Sequence, residues 1–221
     1  MRTPRSMTFG SYHTYADGLW TLTGWKLSDA IYKQYLVDIP GSSQLLDLST
    51  SLTGGEPTYG SRTLTATFES SEGDRLARKE RITKMINALD GYRMNIILPD
   101  DPDRYITGRL SVVELYNDLA HASVQVTAVC EPWKYEAAET VVSLQAVTDE
   151  QEATLVNGGR LSVVPTLVVT GGDVRIIYGT NSWTLSPGTY ALPDIYLTPG
   201  EHAITYAGEG ALTITYRGAV L

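Results

Sequence analysis

Residues 37–69 read VDIPGSSQLLDLSTSLTGGEPTYGSRTLTATFE, and the two ends of this stretch differ in kind. It closes on a strand in which Leu64, Ala66 and Phe68 alternate with Thr63, Thr65 and Thr67, the period-2 signature of a half-buried strand. Ahead of that strand lies a run rich in Gly, Ser and Thr that still carries Leu45, Leu46, Leu48 and Leu52. A solvated loop has little use for such leucines, whereas burying each of them is worth roughly 1.5–3 kcal/mol. The run is therefore expected to be an arm that docks on another surface. Its contact residues would be Pro40, Gly41, Leu45, Leu46, Leu48, Leu52 and Tyr59.

Upstream of the arm, Ala30–Ile39 is strand-like, with Tyr35, Val37 and Ile39 in alternation until Pro40-Gly41 breaks it. Downstream, residues 71–90 are expected to form the one helix of the chain. Ser71 and Asp74 make a capping pair, Ile82, Met85, Ile86 and Leu89 fall on one face, and Gly91 supplies the stop. The apolar stripe reads as core. Arg75, Arg78, Lys79, Arg81 and Lys84 are interleaved with Glu72, Asp74 and Glu80, which reads as a solvated helix face. Strands are expected at Arg93–Leu98, Tyr105–Leu115 and Ala122–Val129. The first two are joined by Pro99–Asp103, whose clustered carboxylates would suit Ca²⁺. Its spacing is not that of an EF-hand, and Asp and Pro are also what a tight turn wants, so it reads as a turn.

Beyond Trp133–Glu139 the pattern changes. The helix signal disappears, and short strands recur at Val141–Val147, Ala153–Asn157, Leu161–Val169, Val174–Tyr178, Ser182–Leu185, Ala203–Tyr206 and Ala211–Tyr216. Turn signals such as Asn157-Gly158-Gly159, Gly171-Gly172-Asp173 and Ser186-Pro187-Gly188 separate them. That spacing indicates a β-sandwich. The chain is thus expected to be mainly β: residues 1–135 an N-terminal β-sandwich with one α-helix, and residues 136–221 a smaller C-terminal β-sandwich.

Composition narrows the function. The 221 residues carry a formal charge of −8, and from Glu136 onward 9 acidic residues face 3 basic ones. A nucleic-acid binder would show a concentrated basic face instead. Cys130 is the only cysteine, which rules out an intrachain disulfide, and its place after an alternating strand marks it as a small buried hydrophobe. The N-terminus MRTPRSMTFG lacks the apolar core of a signal peptide, and no run approaches the ~20 apolar residues that cross a bilayer, so synthesis in a cytoplasm and no membrane insertion are expected. His13, His121 and His202 show no ligand spacing, and no GxSxG, P-loop or GxGxxG occurs. No catalytic residue, metal ligand or cofactor site is assigned, and the chain is read as a non-enzyme. Trp183, Tyr190 and Tyr196 stand as glycan-contact candidates in the second domain, because sugars stack on exposed aromatic faces; core or cross-strand packing is the competing reading of strand aromatics.

Five stretches together resemble one family. They are SMTFGSYHTYADGLWTLTGWKLSDA, YLVDIPGSSQLLDLSTSLTGGEPTYGSRTLTATFE, DGYRMNIILPDDPDRYITGRLSV, VTAVCEPWKYE and NGGRLSVVPTLVVTG. In this order, and over nearly the whole chain, they are similar to the distal tail (Dit) proteins of long non-contractile-tailed (siphovirus) phages. The match departs from the family pattern where the arm reads Ser42-Ser43-Gln44-Leu45-Leu46 and lacks a second glycine.

The resemblance implies a structural virion protein at the distal end of the tail, made in the host bacterial cytoplasm. It implies a homo-hexameric ring that joins the tail-tube protein and the tape-measure protein to the tail-associated fibre or lysin protein, with DNA passing the lumen without specific binding. The C-terminal sandwich would project outward. An alternative reading makes that sandwich a module that binds host-wall glycan or docks a receptor-binding protein.

Overall fold

The computed structural model describes residues 5–221; the first four positions, part of the stretch read as lacking a signal core, lie outside the described residues. The chain divides into two compact units, Met1–Lys134 and Tyr135–Leu221. The fold is mainly β throughout.

In the first unit the elements are β1 (Thr8–Phe9), β2 (Tyr12–His13), α1 (Thr14–Gly18), β3 (Thr21–Leu27), β4 (Leu36–Asp38), β5 (Leu45–Asp47), β6 (Arg62–Ser70), α2 (Arg75–Leu89), β7 (Arg93–Leu98), β8 (Asp101–Asn117) and β9 (Ala122–Glu136). One sheet runs in the order β2-β1-β7-β8-β9-β6-β3, while β4 and β5 pair only with each other. Strict alternation decides which face of the large sheet is buried. Leu64, Ala66 and Phe68 of β6 join Val124, Val126 and Ala128 of β9 in the core, and Thr63, Thr65 and Thr67 face away. Strand twist curls the sheet around this core. Helix α2 closes it with Ile82, Met85 and Leu89, which are fully buried at helical spacing.

Several local expectations change here. The helix begins at Arg75, not Ser71, and Asp74 caps it by accepting from the Ala77 N–H at 2.8 Å. Gly73 at φ +73° explains the shift, because a left-handed residue cannot sit in a first helical turn, and Asp is as good a cap as Ser. Arg78 is not solvated but 1% exposed. It lies four residues before Ile82, hence on the buried stripe. Its guanidinium donates to the Gly73 carbonyl and, at 2.8 Å, to the Asp118 carbonyl, tying the helix start to the β8–β9 turn. The expected turn at Pro99–Asp103 contracts to Pro99-Asp100, since Leu98 already pairs with Asp101. The Asp101 carboxylate meets Lys134 at 3.0 Å and Arg104 at 3.3 Å, so cations of the chain itself neutralise it. Strand structure around Ala30–Ile39 is confined to Leu36–Asp38 and a single bridge at Tyr32.

Close packing also explains Gly108 on β8. A Cβ there would lie 2.6 Å from the Cys130 sulfur. Burial pushes the Cys130 thiol up to about 11, so it stays a neutral hydrophobe.

The second unit holds β10 (Thr140–Gln145), β11 (Gln151–Asn157), β12 (Thr166–Thr170), β13 (Val174–Tyr178), β14 (Asn181–Leu185), β15 (Gly188–Ala191), β16 (Gly200–Gly208), β17 (Ala211–Tyr216) and β18 (Ala219–Val220). Two antiparallel sheets, β10-β17-β12-β15 and β11-β16-β13-β14, make the sandwich. Leu155, Leu167, Ile176, Ile204, Leu212 and Ile214 fill the space between them, each with no exposed surface. The expected strand Leu161–Val169 shortens to Thr166–Thr170, and β15 is an addition, sitting directly after the Ser186-Pro187 turn signal.

Candidate interaction site

The arm is the far end of one long β-hairpin. At its base β3 and β6 pair from Thr21↔Glu69 to Leu27↔Leu64. The ladder goes on through Ser28 N–H to Thr63 O (2.9 Å), Gly60 N–H to Ile31 O (2.8 Å), the Tyr32–Tyr59 bridge and Lys33 N–H to Thr58 O (2.9 Å). Residues 50–57 then bulge out as turns. Beyond them β4 and β5 pair as Leu36↔Asp47, Val37↔Leu46 and Asp38↔Leu45. At 3.2–3.4 Å per residue, the twelve steps from Leu27 to Ile39 span up to about 40 Å.

The tip turn is read directly from sequence chemistry. Ser42 N–H reaches Ile39 O at 3.0 Å, Pro40 occupies the second turn position, and Gly41 at φ +84° takes the third. That is a type II turn, in which Pro presets one angle and Gly supplies the positive φ. Ser49 steadies the stem: its hydroxyl accepts from Tyr35 N–H at 2.7 Å, and its own N–H donates to Asp47 at 2.9 Å. Hydrogen bonds to Asp47 from the Ser49 hydroxyl and then from its N–H hold the Asp47 carboxyl below the usual carboxylate range.

Every residue of β4 and β5 is exposed. Leu45 is 57% exposed, Leu46 45% and Leu52 99%. Directly opposed residues share a face, so register sorts the side chains. Val37 and Leu46 form one pair, and Leu48 N–H to Tyr35 O (2.8 Å) extends the register so that Tyr35 meets Leu48 on the same side. This face is wholly apolar. The reverse face pairs Leu36 with Asp47 and Asp38 with Leu45.

The structure therefore divides the residues expected to act together. Pro40 and Gly41 make the turn, Leu46 and Leu48 share the apolar face, and Leu45 belongs to the mixed face. Leu52 stands apart on the turn-rich bulge, where it lines a hollow of about 550 Å³ with Leu48, Tyr35 and Lys33. Tyr59 lies at the root, half-buried, with ring contacts to Tyr32 at 6.0 Å and Trp133 at 5.5 Å. Tyr35 and Val37 belong to the apolar face without having been assigned to the arm's contact set; their alternation was visible, but the partner strand that gives it meaning was not.

In the second unit the aromatic candidates are not gathered on one sheet. Trp183 is on β14 of one sheet, half-buried against the core, and Tyr190 on β15 of the other, its hydroxyl donating to Ser186 O at 2.9 Å. Tyr196 is exposed on the β15–β16 connection.

The histidines make local structural bonds. His13 caps α1 by accepting from Ala16 N–H at 3.1 Å, and His121 lies against the Tyr116 ring and Asp118. His202 Nε2 donates to Thr198 O at 2.7 Å, and its Nδ1 lies 2.8 Å from the Tyr178 hydroxyl. Among the described residues no three His, Cys, Asp or Glu side chains gather as a metal site, and no helix is long and apolar enough to cross a membrane.

A curled first sheet closed by a single long helix, a bare hairpin arm and a second unit that is a small sandwich make a Dit-like fold. The likeness that shows it is to a solved structure. The Dit (gp 19.1) protein of phage SPP1 matches with a TM-score of 0.66 and 13% identity, over 96% of this chain and 98% of that one. Its structure is described as a paradigm of the hub adsorption apparatus in phages that infect Gram-positive bacteria. No sequence-family profile and no curated protein matches the chain.

Proposed function

We propose that this protein is a non-enzymatic structural component of a phage tail tip. In this reading it forms a hexameric hub ring that joins the tail tube and tape-measure end to the tail-associated fibre or lysin protein, with DNA passing the lumen unbound. The observation that carries it is the end-to-end likeness to a hub adsorption protein, which spans both units and not one common sandwich. The arm supports it physically. An isolated two-stranded hairpin is marginal in water, and this one exposes an apolar face, so it gains order by packing against something else. A closed ring needs a patch that meets a different patch on the neighbour, and a projecting arm supplies one half of such a contact.

Native mass spectrometry of the full chain tests the ring: a hexamer is expected, and a protein that stays monomeric at tens of micromolar overturns it. Deleting residues 41–55 should leave the circular-dichroism spectrum β-rich while lowering oligomer stability. Unchanged assembly after that deletion would remove the arm from the account.

A further inference from the structure

The hairpin is interrupted halfway along. Its stem ladder ends at Lys33 N–H to Thr58 O, and its tip ladder resumes at Leu48 N–H to Tyr35 O. One strand crosses this gap with the single residue Gln34, while the other takes the long way round through residues 49–57. The hollow of about 550 Å³ lies in the gap, with Tyr35 and Leu48 as its apolar lining and Lys33 at its edge.

The excursion is a compact loop closed on itself. Thr53 N–H and Gly55 N–H both reach Thr50 O at 3.2 Å, and Glu56 N–H reaches Thr53 O at 3.2 Å. The Thr53 hydroxyl lies within bonding distance of Thr50 O and Glu56 O. Gly54 at φ +64° and Gly55 at φ +95° make its outer turn, where an added Cβ would meet nothing within 4 Å. Leu52 belongs to this loop and borders the hollow, yet it is 99% exposed. An apolar side chain in water next to an apolar hollow is drawn into it.

We infer that residues 50–57 are a lid that closes over this hollow with Leu52 as its plug. The loop swings about its two ends and keeps its internal hydrogen bonds, so closure adds apolar contact without undoing the turn. Closed, the lid covers Tyr35 and Leu48; open, it adds Leu52 to the arm's apolar face. The lid belongs to the single chain and operates whether or not a ring forms.

Methionine oxidation tests this, because methionine replaces leucine with little change of volume and oxidises when exposed. Leu52→Met and Leu119→Met are each made in the full chain, treated with dilute peroxide and followed by peptide mass spectrometry. Leu119, 90% exposed on the β8–β9 turn, is the open reference. The Leu52→Met side chain should oxidise about tenfold more slowly than that of Leu119→Met, as a lid closed nine-tenths of the time requires. Adding Leu48→Ser, which removes the apolar lining, should bring the two rates together with the circular-dichroism spectrum unchanged. Equal rates without Leu48→Ser overturn the lid. Slow oxidation that Leu48→Ser leaves unaltered also overturns it, since the protection would then come from elsewhere. The rates are taken over a range of protein concentration: protection that stays constant on dilution supports a lid within the chain, and protection lost on dilution comes from another copy and overturns it.

Discussion

The base and the tip of the hairpin are built from the same two chain segments and the same alternation, yet they end in opposite environments. At the base, Leu64, Ala66 and Phe68 of β6 have no exposed surface and belong to one core cluster with residues of α2, β8 and β9. At the tip, β4 and β5 bury nothing. Pattern alone is indifferent to this difference, because alternation says that a face is apolar and leaves open what covers it. The base is satisfied within the chain; the tip is an unmet demand for contact, and the functional reading starts there.

Substitutions separate the two ends most sharply when the base is struck. Phe68→Ala removes a fully buried ring in edge-to-face contact with Phe9, and unfolding in urea should show a loss of about 3–5 kcal/mol. Arg78→Met tests the clamp above the same core. It leaves the Gly73 and Asp118 carbonyls without their donor, and a loss of about 2–3 kcal/mol is expected, with the β8–β9 turn losing hydrogen-exchange protection first.

Smaller still is an alkaline effect at the base. The folded thiol of Cys130 lies near 11 against an ordinary value of 9.0. Its neutral form is therefore favoured on folding, and the contribution is complete below about pH 9. It fades as pH rises through 11, by up to about 2 kcal/mol. Urea midpoints should fall over that window in the native chain and stay flatter in Cys130→Ala. At the other extreme, Leu46→Ser at the tip should change stability by no more than about 0.5 kcal/mol while weakening oligomers. A large loss of monomer stability from Leu46→Ser would erase the distinction between the two ends.

What the sequence made legible follows the same line. Arg93–Leu98, Val174–Tyr178 and Ala211–Tyr216 are strands at the bounds that alternation predicts, because their periodicity runs uninterrupted into clear turn residues. The arm was visible as surplus leucine. Which leucines share a face was not, since that depends on a register set across the Pro40-Gly41 turn: Leu45 and Leu46 are neighbours in sequence and opposites in space. Arg78 shows the reverse failure. Its position on the stripe was plain, but its charge suggested solvent, and only the carbonyls of Gly73 and Asp118, one of them forty residues away, make its burial affordable. The short α1, β1 and β2 have no pattern long enough to read.

One consequence of the two-faced hairpin concerns a protomer of the proposed ring before it has partners. Copies newly made and still separate carry an open-edged greasy ribbon, the kind of surface that stacks indiscriminately into aggregates. The carboxylates of Asp38 and Asp47 sit only on the back of that ribbon, each beside a leucine. Stacking one ribbon on the back of another would strip water from those charges without supplying a partner, and back-to-back stacking would set like charges together. The hairpin is thus adhesive on one side and self-repelling on the other, so it favours contact through its apolar face over contact through its back.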